Sequence, residues 1–127
     1  MSNTILFAEK YARCTNAATM MDGGCYWAYW ATQDDPTGIV LGPKHPGFAI
    51  SFWDGGAVSI GPNSKFQYRP TPFLGNCDPT RASTPHAGGI VVGMADGSAR
   101  VISISISPTT WWAACTPATG DILGNDW

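Results

Sequence analysis

Residues 89–107 constrain the fold more than any other stretch. Residues 89–95 are apolar, Asp96-Gly97 is a pair that favours a two-residue type I′ turn, and the following residues end in strict alternation, Ile102-Ser103-Ile104-Ser105-Ile106-Ser107. Together they predict a β-hairpin. A two-residue turn sets Ala95 opposite Ser98, Val92 opposite Val101 and Val91 opposite Ile102. One face then carries Val91, Ile102, Ile104 and Ile106, and the other carries Ile90, Val92, Met94, Ala99 and Val101. Both faces are apolar near the turn, so the hairpin is expected to be central and covered on both sides. Ser107-Pro108 then reads as a helix start, with Ser as the cap and Pro in the first helical position. A short helix is predicted over 108–115, with Trp111 and Cys115 on one face, ended by Thr116-Pro117.

The charged residues argue for the same class of fold. Eight of the nine acidic residues are Asp, and Glu9 is the only Glu. Asp belongs in turns and caps, whereas Glu and Lys belong on helix surfaces, so a helical bundle is excluded. With 127 residues, 44% hydrophobic, the chain predicts a single folded domain over 1–127 rather than a disordered segment. Its class is α+β, mainly β and loop-rich: an antiparallel sheet around the hairpin, followed by one short helix. A net charge of −2 gives no electrostatic basis for a nucleic-acid partner. No apolar run approaches the ~18–20 residues of a membrane span, so no membrane contact by this chain is expected, and no targeting signal is present.

Elsewhere the signals are shorter. Residues 5–12 read as a buried strand, with a short helix as the rival. Residues 14–47 read mostly as loop, residues 48–53 as a short strand that 57–60 could answer, and residues 65–69 as an edge strand. Residues 70–89 form a long Pro- and Gly-rich connection. Such a connection is expected to be functional, pinned by a disulfide or packed over the sheet.

Four cysteines allow three complete pairings. None lies in a Cys-x-x-Cys motif and only two histidines are present, which argues against a zinc site. Cys14 follows the first strand and Cys77 sits on the long connection, so Cys14–Cys77 is the first expected pair. Cys25–Cys115 is the second, because both lie beside Trp-rich segments. Four reduced, buried thiols are the alternative.

No arrangement for catalysis stands out. There is no Gly-x-Ser-x-Gly motif, no phosphate loop and no pair of carboxylates placed for acid–base work. His86 and Asp96 are separated along the hairpin: in a regular ladder His86 lies opposite Ser107, roughly 30 Å from the turn. Structural roles are therefore expected, with Asp96-Gly97 making the turn and His86 bonding near Ser107 at the helix start. Tyr26, Trp27, Tyr29, Trp30 and Trp53 form a dense aromatic set that could stack on a sugar; their alternative role is core packing.

Two separated segments resemble one bacterial family. Ser2-Asn3-Thr4-Ile5-Leu6-Phe7-Ala8-Glu9-Lys10-Tyr11-Ala12 resembles a segment of the prepilin-like proteins known as domain of unknown function 1559. His86, nine intervening residues and Asp96-Gly97 resemble the prepilin-associated H-X9-DG motif, continuing through Ser98-Ala99-Arg100-Val101-Ile102-Ser103. Thr110-Trp111-Trp112, Thr116-Pro117 and Gly120-Asp121 are similar to the family's closing segment, while residues 15–70 match it poorly.

The resemblance implies a pseudopilin-like head, β-rich and non-enzymatic, working in a cell-envelope or extracellular assembly. Partners would be other pilin-like or envelope proteins, including further copies of the chain. Family members carry a processing site and a long apolar helix before the head. Met1 begins where the family's middle lies, so the chain is expected to be either a head fragment or a shortened gene product. Through the related secretion pseudopilins, the resemblance also makes Asp121, Asn125 and Asp126 candidate calcium ligands. No other cofactor is expected. The alternative function is a carbohydrate or small-solute binding module built on the aromatic set.

Overall fold

In the computed structural model, residues 3–19, 21–25, 46–49, 59–117 and 120–127 are described. They form eight short strands and one α-helix: β1 (Ile5–Ala8), β2 (Cys14–Asn16), β3 (Met21–Gly23), β4 (Gln67–Tyr68), β5 (Leu74–Gly75), β6 (Ser83–Thr84), β7 (Ile90–Met94), β8 (Ala99–Ile102) and α1 (Pro108–Cys115). A single 3-10 turn spans Gly61–Ser64. Three small sheets result, ordered β1-β7-β8, β3-β2-β5 and β4-β6. The fold is small, β-rich and α+β.

The β7–β8 hairpin forms, in a different register from the one a two-residue turn dictates. Ile90 faces Ile102, Val91 faces Val101, Val92 faces Arg100 and Gly93 faces Ala99. The loop has three residues, Ala95-Asp96-Gly97. The Gly97 N–H donates to the Met94 carbonyl (3.0 Å), the Met94 N–H donates to the Ser98 carbonyl (2.8 Å), and Gly97 takes φ 83°. This is a turn followed by a residue in the left-handed region, the usual form of a three-residue hairpin loop. One extra residue in the loop re-sorts the faces. Ile90, Val92, Met94 and Ile102 point into the core, while Val91 and Val101 point outward, with Val101 61% exposed. The hairpin is therefore covered on one face, not two. Of its strands only β7 is central; β8 is at the edge.

The Ile-Ser alternation does not extend the strand beyond Ile102. The Ser103 hydroxyl accepts from the Ser105 N–H (3.2 Å), and the Ile106 N–H donates to the Ser103 carbonyl (3.2 Å). Serine hydroxyls offer the backbone a local partner in place of a ladder. The turn drops Ile106 into the core, where it is fully buried.

The helix follows as its sequence dictates. Ser107 caps it, its hydroxyl accepting from the Thr110 N–H (3.2 Å), and Pro108 opens it. Trp111 is fully buried, its ring 5.0 Å from that of Phe66 and 6.2 Å from that of Phe48. Its indole N–H donates to the Ser64 carbonyl (2.9 Å), so burial leaves no orphan donor. Truncating so large a buried ring costs about 3–5 kcal/mol. Ile5, Phe66, Ala82, Ile90, Val92 and Ile106 complete this core with their neighbours.

Other elements depart from expectation. β1 ends at Ala8, and its pairing with β7 is irregular between Ile5 and Phe7. Residues 14–25 are not loop, because β2 and β3 pair antiparallel there, with Cys14 opposite Gly23. The intervening turn is closed by the Asn16 side chain, which accepts from the N–H groups of Ala18 and Thr19 (3.0 and 3.1 Å). The strand expected at 65–69 is β4, paired parallel with β6. The long connection after it carries β5 and β6 and is tied down by the Cys14–Cys77 disulfide, Cα–Cα 5.2 Å. Most of the strands expected at 48–53 and 57–60 lies outside the described residues.

Candidate functional site

The densest polar network gathers around Glu9, just past the end of β1. Its backbone N–H donates to the Val91 carbonyl (3.2 Å), and its carbonyl accepts from the Ser83 N–H (3.0 Å). The carboxylate does more. Oε2 accepts from the Val91 N–H and from the Thr84 hydroxyl, both at 2.9 Å, while Oε1 meets His86 Nε2 at 2.9 Å. Thr84, fully buried, in turn accepts from the His86 N–H (3.1 Å). One carboxylate therefore joins β1 to β6, to β7 and to the connection between them.

His86 thus stands elsewhere than the helix start. Its partner is Glu9, and the Ser107 N–H is held instead by the Asp126 carboxylate. The reason is pairing order: β1 lies beside β7, so the chain entering β7 passes Glu9. The carboxylate orients the ring. The His86 side chain is 58% exposed, so the contact is worth no more than an exposed ion pair. Asp96 serves its own turn, where Oδ1 accepts from the Ser98 N–H (3.0 Å) and hydroxyl (2.6 Å). His86 and Asp96 have no bonding partner in common.

The sequence reading missed Glu9. The available signal was its solitude: it is the only Glu, set directly after an apolar strand. Its partners are distant in sequence, which no local pattern reveals.

The acidic C-terminal segment is also committed. Asp126 accepts from the Thr110 hydroxyl (2.6 Å) as well as from the Ser107 N–H, and these bonds hold its carboxyl below the usual carboxylate range. It is a second cap on α1. Asp121 accepts from the Thr116 hydroxyl (2.8 Å). Among the described residues no group of three or more His, Cys, Asp or Glu side chains is placed to hold a metal ion. Of the three calcium candidates, Asp126 thus has a helix-capping role. Asn125 is exposed beside it.

Cys14–Cys77 is the disulfide expected, but Cys25–Cys115 is not formed, and both remain thiols. They are anchored apart: the Cys25 N–H donates to the Tyr11 carbonyl (2.8 Å), whereas Cys115 ends α1 and packs against the core. Burial pushes the Cys115 thiol up to about 12, leaving it unreactive at neutral pH. It lines an apolar groove of about 490 Å³ along residues 4–8, together with Phe48 and Pro117. Lys10 is displaced as well. Burial lowers it from 10.5 to about 8, with Cys25 and Asp78 pulling it partly back, and its ammonium donates to the Gly47 carbonyl (2.6 Å).

Tyr26, Trp27, Tyr29, Trp30 and Trp53 lie outside the described residues. Comparison with protein families, with curated proteins and with solved structures returns no match. Among the described residues no helix is long and apolar enough to cross a membrane. A disulfide is consistent with an oxidising location outside the cytosol.

Proposed function

We propose that the chain is the β-rich head of a prepilin-like protein of the cell envelope, serving in assembly rather than catalysis. The observation that carries this reading is the Glu9–His86 pair. Two segments that resemble the family are far apart in sequence, one ending in Glu9-Lys10-Tyr11-Ala12 and the other opening at His86. Here they are adjacent strands of one sheet, joined by a charge-assisted bond between a residue of each. A motif that recurs because it fixes the head's fold would have this form, with no substrate needed. Among the described residues, three carboxylates are engaged in structural bonds: Glu9 with three backbone and side-chain partners, Asp96 in its turn, Asp126 in a helix cap.

The test is location and assembly in cells. The gene product, expressed in a bacterium with its native upstream sequence, is expected in the envelope or sheared-filament fraction with Cys14 and Cys77 protected from alkylation. Recovery in the cytosol with both cysteines alkylated would overturn the reading. So would a turnover activity lost on His86→Ala in a protein of unchanged stability.

A further inference from the structure

Three of the four cysteines gather around one short strand, β2, although Cys77 is 63 residues from Cys14 in sequence. Cys14 and Cys77 are disulfide-bonded and 1% and 0% exposed, so a thiol in solvent has no direct approach to either sulfur. Cys25 is a free thiol and partly exposed. β2 and β3 pair Cys14 with Gly23, and two residues further on the Cys25 N–H is bonded to the Tyr11 carbonyl. Cys25 therefore stands beside the segment leading into Cys14, at most about 10 Å along the strand at ~3.3 Å per residue. Cys77 runs along the other side of the same strand, its N–H donating to the Thr15 carbonyl (2.9 Å). Lys10 precedes β2 and interacts electrostatically with both Cys25 and Asp78, the residue after Cys77.

We propose that Cys25 is an internal exchange thiol for the buried Cys14–Cys77 disulfide, so that these three cysteines form a redox-active site. In the step, the Cys25 thiolate attacks Sγ of Cys14. A Cys14–Cys25 bond forms as the Cys14–Cys77 bond breaks, and the electron pair leaves on Sγ of Cys77. That thiolate takes up a proton in place of the one Cys25 lost, so nothing is oxidised or reduced overall. Lys10 supplies positive charge near the attacking Cys25 thiolate. Exchange moves the disulfide from a sealed position to a partly exposed one, where an external thiol can reach it. It also releases Cys77 from its covalent tie, leaving the segment bearing β5 held to β2 by backbone hydrogen bonds. Cys115, at the end of α1, takes no part.

The experiment follows the oxidised protein in reduced glutathione at pH 8, with samples alkylated at intervals, digested without reduction and read by mass spectrometry. The expected result is a Cys14–Cys25 linked peptide with Cys77 alkylated. Cys14–Cys77 should also be lost at least about tenfold faster in the native sequence than in Cys25→Ser. Cys115→Ser should match the native sequence. Equal rates in the native and Cys25→Ser proteins would overturn the proposal. The linked peptide needs no variant, and its absence throughout the native time course would overturn the proposal whatever Cys25→Ser does to folding.

Discussion

At the scale of single residues, Glu9 and His86 share one bond but are unequal partners. His86 contributes an exposed side chain, and exposed ion pairs are worth roughly 0–1 kcal/mol. Glu9 also satisfies the Val91 N–H and the buried Thr84 hydroxyl. Removing its carboxylate takes the acceptor from the Val91 N–H and leaves the Thr84 hydroxyl only the longer bond to the Gly89 carbonyl (3.2 Å), at about 1–3 kcal/mol. Glu9→Ala is thus expected to lower the free energy of unfolding by about 2 kcal/mol more than His86→Ala. Chemical denaturation of both variants checks it, and equal losses would remove Glu9 as the hub. Lys10 gives a pH-dependent signature. Below about pH 8 it is charged in folded and unfolded chains alike, and the cost of burying that charge is carried in full. Between about 8 and 10.5 the folded chain loses the proton first, so the unfolded state binds more protons and stability rises with pH. Relative to Lys10→Met, the native protein should gain up to about 3 kcal/mol across that window. Parallel melting curves from pH 7 to 10.5 measure the difference, and a constant offset would contradict a charged, partly buried Lys10.

At the scale of elements, Gly97 in the β7–β8 loop and Gly89 just before β7 resist substitution for different reasons. Gly97, at φ 83°, has open space where a side chain would go. Gly97→Val therefore meets only the backbone penalty of the left-handed region, more than about 1 kcal/mol. Gly89, at φ 134°, has no such space: a Cβ there would lie 2.0 Å from the Ile102 carbonyl oxygen. Gly89→Ala is expected to cost more than about 3 kcal/mol, exceeding Gly97→Val although alanine is the smaller residue. Thermal melts of the pair decide it, and the reverse order would mean that β7 and β8 are not paired as described. The existence of this hairpin and of α1 was legible because each carries strong local signals: an Asp-Gly turn between apolar runs, and a Ser-Pro start. The register was not, because Asp96-Gly97 suits loops of two and of three residues, and one residue re-sorts every face. Strands of two or three residues such as β2, β4 and β6 have no period to detect. Only the chain brought alongside defines them, as Gln67 and Tyr68 show by pairing parallel with Ser83 and Thr84.

At the scale of the molecule, little regular structure has to hold long connections in place. Among the described residues the sheets have at most three strands, and the β3-β2-β5 sheet meets through few residues. The compensation is covalent. Cys14–Cys77 closes a span of 63 residues, linking the first hairpin to the long connection between β4 and β6. Its location was partly legible, since a Pro- and Gly-rich stretch that long needs an anchor and Cys77 is its only cysteine. Cys25 and Cys115 could not be assigned on that ground, because packing beside aromatic residues does not bring two sulfurs together. Closing a loop of that size removes about 4 kcal/mol of chain entropy from the unfolded state. Against a total stability of roughly 5–15 kcal/mol this is a large share. The Cys14→Ser/Cys77→Ser double variant should therefore lose about 4 kcal/mol in denaturant unfolding, whereas Cys115→Ala, which breaks no bridge, should lose no more than about 1 kcal/mol. Reducing agent should bring the native protein down to the double variant and leave the double variant unchanged. If the double variant kept the stability of the oxidised protein, the long connection would be held by its packing and hydrogen bonds, and the bridge would be no more than a local clip.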